Sequence, residues 1–350
     1  MKPSRLLAIA LLTGLTVSAG RVVCGGEPPA GGVPAADHEQ ATDAVRAWLA
    51  AGAPVDGPLL EALRELGTHA LPALRATPAP GHEAQVRAVR ASIVAAWQRA
   101  QTPEGMVFVP AGDIEVPSER PPFGPSGTRE LVPAFYLDRL EVSAREWRVG
   151  CRQHALFRHG DRMPPVAAAN PWPEHVEPSD DWPATGMSWR DADRFAKVVR
   201  GGRLPTAAEF ERALRGSGVG TWPWGAPPDA RRANLAGLGP GHPLPVGTLP
   251  ESETPFGVLD LVGNVAEWTS TFRQVGRARG GWPFALGGSW LDGVEDELLW
   301  RPYGLAHEPQ GDTIGRLWIG FRVARDVPWP PGEGPGARDP EGAEDAPRAK

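Results

Sequence analysis

Cysteine is nearly absent from this chain: its 350 residues hold two, Cys24 and Cys151. A pair so placed, with Cys24 beside the N-terminal leader, leaves no internal disulfide framework to stabilise a fold. Tyrosine is almost as scarce, at 2 against 14 Trp. There is no surplus of positive charge. The formal net charge of −6 removes the electrostatic reason to expect nucleic acid or anionic lipid as a partner. Long hydrophobic runs are missing too. The longest, Leu6 to Val17, falls short of the roughly 20 residues that a membrane-spanning helix needs. What is plentiful is Gly, at 43, and Pro, at 40, a loop-rich composition with few long regular elements. The 41% hydrophobic and 22% charged fractions are those of a soluble globular protein. The length suits one large domain and a smaller one.

The N-terminus reads as an export signal. Lys2 and Arg5 precede the apolar Leu6–Val17 run, and Val17-Ser18-Ala19 offers a cleavage point before Gly20. Cys24 gives a second reading, as a lipid-modified cysteine. The Arg21-Val22-Val23 that precedes it departs from the small residues such signals use. Residues 1–19 are therefore read as a signal peptide and the product as periplasmic or extracellular, membrane-anchored only if Cys24 is lipidated. Residues 20–37 are Gly, Pro and Ala rich and read as a flexible linker.

Residues 38–102 turn helical. Ala44, Val45, Trp48 and Leu49 recur at helical spacing, as do Leu59, Leu60, Leu63 and Leu66, then Val86, Val89, Ile93 and Trp97. Breaks at Gly52–Pro58, Gly67–Pro72 and Pro78–Gly81 divide the stretch into three or four short helices. Residues 103–325 alternate short strands, turns and helices. Met106–Gly112 and Phe135–Asp138 read as strands. Ser143 with Glu146, and Thr206 with Glu209, carry the capping-box spacing that starts helices over Ala144–His154 and Ala207–Arg215. A third helix is expected over Arg190–Val199. Cys151 falls on the first of these, where a buried structural thiol is the expectation. Residues 326–350 are Pro, Gly and charged residues and read as a disordered tail.

Nine motifs occur in order between Glu104 and Arg325: G-M-V-F-V-P-A-G, F-Y-L-D-R-L-E-V-S-A-R-E-W, P-A-T-G-M-S-W-R-D-A-D-R-F-A, R-L-P-T-A-A-E-F-E-R-A-L-R-G, W-P-W-G, P-V-G, F-G-V-L-D-L-V-G-N-V-A-E-W, G-G-S-W and I-G-F-R. This ordered set resembles the formylglycine-generating enzyme family, also called the sulfatase-modifying-factor domain. The resemblance implies an irregular, loop-rich α+β fold related to C-type lectins, here preceded by a small helical region.

The resemblance also implies where chemistry should lie. Asp260 and Glu267 bracket Gly263 and Val265 in one tight loop, and two carboxylates with turn carbonyls supply the hard oxygens that calcium prefers. The match carries a structural calcium onto the side chains of Asp260 and Glu267 and the carbonyls of Gly263 and Val265. A second family calcium site would begin at Asn234-Leu235, but the loop from Ala236 to Pro245 has no acidic residue. The family's oxidases hold copper with two cysteines after G-G-S-W. Here those positions fall near Asp292 and Glu297, and carboxylates do not replace the soft thiolates that select Cu(I). Copper is therefore not expected. Arg301 matches a family arginine, while Leu305 stands where another is expected. Ser289, Trp290, Asp292 and Arg301 are the cleft candidates. Arg203, ahead of the helix start at Thr206, is expected to pair with Glu209 or Glu211. The acidic run Asp292, Glu295, Asp296 and Glu297 reads as solvated surface.

Two functions follow as expectations. One is a non-catalytic exported module that binds a peptide, glycan or envelope partner. The other is a divergent metal-dependent oxidoreductase acting on a protein or thiol substrate.

Overall fold

The computed structural model describes residues 35–115, 129–154, 179–216, 222–225, 229–273, 282–293 and 316–334. The expected signal peptide, most of the linker, Cys24, Glu297, Arg301, Leu305 and residues 335–350 lie outside the described residues. The chain divides into two units. One comprises Thr102–Val327; the other joins the N-terminal residues through Gln101 to the segment from Pro328.

The first unit is helical: α1 (Ala35–Ala50), α2 (Pro58–Leu66), a 3-10 turn (Gly67–His69), α3 (Ala70–Ala76) and α4 (Glu83–Ala100). Its core gathers many of the apolar positions the spacing picked out, together with Leu71 and Leu74 of α3. Val45, Trp48, Leu60, Leu63, Leu71, Leu74, Val89 and Ile93 are all buried together. Pro58 opens α2 at its first turn, where its missing N–H costs nothing, and Gly67 ends it. The segment from Asp326 is read from composition as a tail. In the structure Asp326 closes a strand, and Pro328–Gly334 belongs with the helices. Its Pro and Gly form a turn there.

The second unit mixes helices and short strands around three small sheets. Strands β1 (Met106–Val109), β4 (Phe135–Asp138) and β8 (Ala324–Asp326) form one antiparallel sheet in the order β1-β4-β8. The hairpin β2 (Gly112–Glu115) and β3 (Arg129–Val132) forms a second. In the third, β5 (Ala266–Arg273) lies between β6 (Trp282–Leu286), antiparallel, and the two-residue β7 (Ile319–Gly320), parallel. This is the α+β, loop-rich arrangement expected from the sequence. No helix among the described residues is long and apolar enough to cross a membrane.

Three helices start the same way. In α5 (Ala144–Gln153), the Glu146 N–H donates to Ser143 Oγ while the Ser143 N–H donates to the Glu146 carboxylate. Thr206 and Glu209 do the same for α7 (Ala207–Arg215), as do Ser188 and Asp191 for α6 (Trp189–Val198). Each box satisfies two backbone donors, and losing such a cap typically costs about 1 kcal/mol. Helices α5 and α6 touch at Gly150, where a Cβ would meet Phe195 and Val199 at 2.7 Å. That contact packs Trp147 on Phe195, with ring centroids 5.1 Å apart, over Phe321 and the buried Cys151. Arg203 holds the α7 start to the last strand: its guanidinium takes both Glu209 oxygens, at 2.7 and 2.6 Å, and also donates to Asp326. Glu211 instead pairs with Arg215.

Candidate functional site

The G-N motif lies at the centre of the second unit and is almost wholly buried. Asp260 and Asn264 both sit in the left-handed region, with φ of 59° and 60°, which Asp and Asn tolerate better than other side-chain-bearing residues. Gly263, at φ 78°, passes so close to Asn234 that a Cβ would lie 2.5 Å from its carbonyl oxygen. The loop therefore turns inward twice and delivers its polar side chains to one place.

Glu267, on β5, faces Arg322. Both are buried, and the guanidinium takes both carboxylate oxygens at 2.6 Å. The remaining Arg322 donors reach the carbonyls of Asp138, Arg139 and Leu259. Asp260 accepts from the Gly247 N–H at 2.9 Å and from Ser252 Oγ at 3.0 Å. Asn264 donates to Glu141 Oε1 at 2.9 Å and to the Leu244 carbonyl, and accepts from Asn234 Nδ2 at 3.0 Å. Glu141 is 1% exposed, and its Oε2 has no hydrogen-bond partner among the described residues. Burial, then the nearby Asp260, pushes the Glu141 carboxyl well above the usual carboxylate range, against the pull of Arg322. Burial raises Asp260 as well. Arg322 stays charged: burial opposes it, but Glu267, Glu141 and Asp260 outweigh that cost.

The cluster thus sets three buried carboxylates, Glu141, Asp260 and Glu267, against one guanidinium. In charge and donor chemistry this fits a hard cation such as calcium, and the free Glu141 Oε2 is a hard oxygen donor. The side chains do not stand as a ready cage. The oxygens of Asp260 and Glu267 are already engaged, and among the described residues no three His, Cys, Asp or Glu side chains converge on a metal position. Asn234, where a second family calcium site would begin, spends its amide on the His242 carbonyl and Asn264.

The turn after G-G-S-W is bound to this loop. Gly263 N–H donates to Gly287 O at 2.9 Å, Trp290 N–H to Asn264 O at 3.0 Å, and Ala236 N–H to Asp292 O at 3.0 Å. Asp292, near which the resemblance put the first family cysteine, points back into its own turn. Its Oδ2 accepts from the Ser289 N–H and from Ser289 Oγ, both at 2.7 Å. Ser289 is fully buried and Trp290 is 6% exposed, packed with Trp182. Trp182 in turn stacks on His242, with centroids 5.1 Å apart and planes at 14°. Ser289 is a turn residue, its hydroxyl committed to a carboxylate and closed to solvent. Of the cleft candidates the structure joins Ser289, Trp290 and Asp292, while Arg301 and Glu297 lie outside the described residues. Cys151 is no substitute thiol: burial, then Asp191, pushes it up to about 12.

Sequence reasoning missed Glu141, Asn264 and Arg322 as members of the central cluster. Asn264 lies in the same motif as Asp260 and Glu267, whereas Glu141 and Arg322 sit in E-V-S and I-G-F-R, which nothing local joins to it.

Comparison with known proteins agrees with this reading of the second unit. The model of the "Sulfatase-modifying factor enzyme 1-like domain" matches residues 93–327. The "Inactive C-alpha-formylglycine-generating enzyme 2" of Bos taurus is 32% identical over 164 residues, covering 44% of this chain and 53% of that protein. The "Hercynine oxygenase" of Mycolicibacterium thermoresistibile is 32% identical over 164 residues, covering 40% and 36%. The "Formylglycine-generating enzyme" of Bos taurus is 27% identical over 227 residues, covering 51% and 60%. The chain therefore spans between about a third and three-fifths of the length of these curated relatives. Among solved structures, PvdO from Pseudomonas aeruginosa aligns over 63% of this chain and 94% of its own, at 24% identity and a TM-score of 0.47. With more than half of its length matched by the family model, the chain belongs to the sulfatase-modifying factor enzyme 1-like family.

Proposed function

We propose that this is an exported family member without copper–thiolate chemistry, whose domain binds a peptide, glycan or envelope partner. The observation that carries the proposal is Asp292. It stands near the first of the two cysteine positions that the resemblance implies, and its Oδ2 accepts from the Ser289 N–H and hydroxyl. No cysteine follows Cys151 in the sequence, so no pair of thiolates is available to hold Cu(I). Export rests on Lys2, Arg5, the Leu6–Val17 run and Val17-Ser18-Ala19. A relative of similar identity carries "inactive" in its name, which supports the reading without deciding it.

A structural calcium belongs to the same proposal. Asp260, Glu267 and the carbonyls of Gly263 and Val265 would hold it, with Glu141 adding an oxygen and Glu267 exchanging its Arg322 hydrogen bonds for the ion. It would offset the excess negative charge of the cluster and take no part in a reaction.

The test is direct. Protein loaded with copper is given a cysteine-containing peptide and oxygen, and the peptide is weighed by mass spectrometry. The proposal predicts an unchanged cysteine; conversion to the aldehyde would overturn it. The second reading, a divergent metal-dependent oxidoreductase, draws on the relatives named formylglycine-generating enzyme and hercynine oxygenase. It predicts thiol oxidation that depends on copper or iron.

A further inference from the structure

After β8 the chain turns onto its own helices, and the contacts there are specific. Gln98 of α4, itself 3% exposed, donates from Nε2 to the Pro328 carbonyl at 3.0 Å. Pro330, Pro331, Gly332 and Glu333 then form a tight turn closed by the Glu333 N–H on Pro330 O at 3.0 Å. Pro and Gly fall where a type II turn wants them, and Gly332 has the required positive φ, 80°. The turn aims Glu333 inward. Its carboxylate is 6% exposed and is gripped from two helices: Oε1 by Arg75 of α3 at 2.5 Å, Oε2 by Arg90 of α4 at 3.2 Å. Arg75 also donates to the Gly332 carbonyl. Each arginine side chain is 19% exposed.

We propose that Arg75 and Arg90 are a carboxylate-recognition pair and that residues 328–334 are their ligand, a clasp that completes the helical unit. Several features support a built site over a chance surface ion pair. The carboxylate is buried, each oxygen has its own guanidinium, and a neighbouring carbonyl is read as well. Pro331 fixes its own φ in advance, which lowers the entropy lost on docking, and Gly332 takes the positive φ without strain. Charge-assisted hydrogen bonds of this kind are the strong ones. The partner chemistry is accordingly narrow: an acidic residue directly after a Pro-Gly turn. The clasp ties the end of α3 to the middle of α4, elements that otherwise meet through a short apolar core. Loss of the segment after Val327 would loosen these helices and leave the family domain intact.

Hydrogen exchange read by mass spectrometry on the full chain tests this, comparing wild type, Glu333→Gln, Arg90→Gln and the double variant. Glu333→Gln is expected to speed exchange across 70–100 about tenfold or more, with 106–326 unchanged as the internal reference. Arg90→Gln should act in the same direction, and the double variant should be no worse than the more severe single. The proposal is overturned if exchange across 70–100 is unchanged in Glu333→Gln, if the two effects simply add, or if 106–326 accelerates equally.

Discussion

Both oxygens of Glu267 are bound by the one guanidinium of Arg322, at 2.6 Å each, with neither side chain more than 1% exposed. The pair joins β5 to the end of β4 and to the segment just before Asp260, because the same guanidinium also holds carbonyls of Asp138, Arg139 and Leu259. Breaking such a pair leaves a buried charge alone and typically costs about 3–5 kcal/mol. Glu267→Gln should therefore lower the urea midpoint sharply. Adding Arg322→Met should recover part of the loss, since the stranded guanidinium goes with it. Two additive losses would show that the residues act separately.

Asp138 gives the stability a pH signature. Burial raises its carboxyl from 3.8 to about 6, against the pull of Arg200, which lies 2.7 Å away. The native carboxyl thus keeps its proton where the unfolded one has lost it. Its contribution to stability is complete below pH 3.8 and disappears as the pH rises through about 6. The full effect is on the order of 3 kcal/mol. Urea unfolding between pH 4 and pH 8 should show this slope in wild type, and Asp138→Asn should reduce it, the raised Glu141 and Asp260 carboxyls keeping the rest. An equal slope in both proteins would assign the dependence elsewhere.

The Cys151 thiol should be silent. It is buried and pushed up to about 12. In a Cys24→Ser background, a thiol reagent at pH 8 should label native protein far more slowly than urea-unfolded protein. Rapid native labelling would mean that α5 opens or that the thiol is activated.

The turn at Ser289 makes a modest prediction. Asp292→Ala removes the acceptor of two hydrogen bonds, each contributing about 1 kcal/mol. A loss of about 1–3 kcal/mol in urea stability is expected, with no change in bound metal. Loss of a bound metal ion instead would place Asp292 in a metal site.

How much of this was legible depended on distance along the chain. The helix starts at Ser143 and Thr206 could be read because the box spans three residues. The Ser188 box was harder, since Asp191 is shorter than the usual Glu. The central cluster was legible only in half. Asp260 and Glu267 share one motif, but Glu141 reaches Asn264 across 123 residues, and Arg322 reaches Asp138 across 184. Local pattern carries no trace of such pairings. The Arg75–Glu333 contact spans 258 residues, and Pro-Gly composition around Glu333 reads as tail until the helices supply the two arginines. Composition registers the loss of the thiolates at once, and the contact of Asp292 with Ser289, three residues back, is a local one as well.

Metal content separates a structural-calcium domain from a redox enzyme. The purified protein is incubated with copper, iron and calcium, desalted and analysed by elemental mass spectrometry. The account predicts calcium near one equivalent, lost on Glu267→Gln, with copper and iron far below stoichiometric. Stoichiometric copper or iron that survives desalting would contradict it and establish a redox centre in this chain.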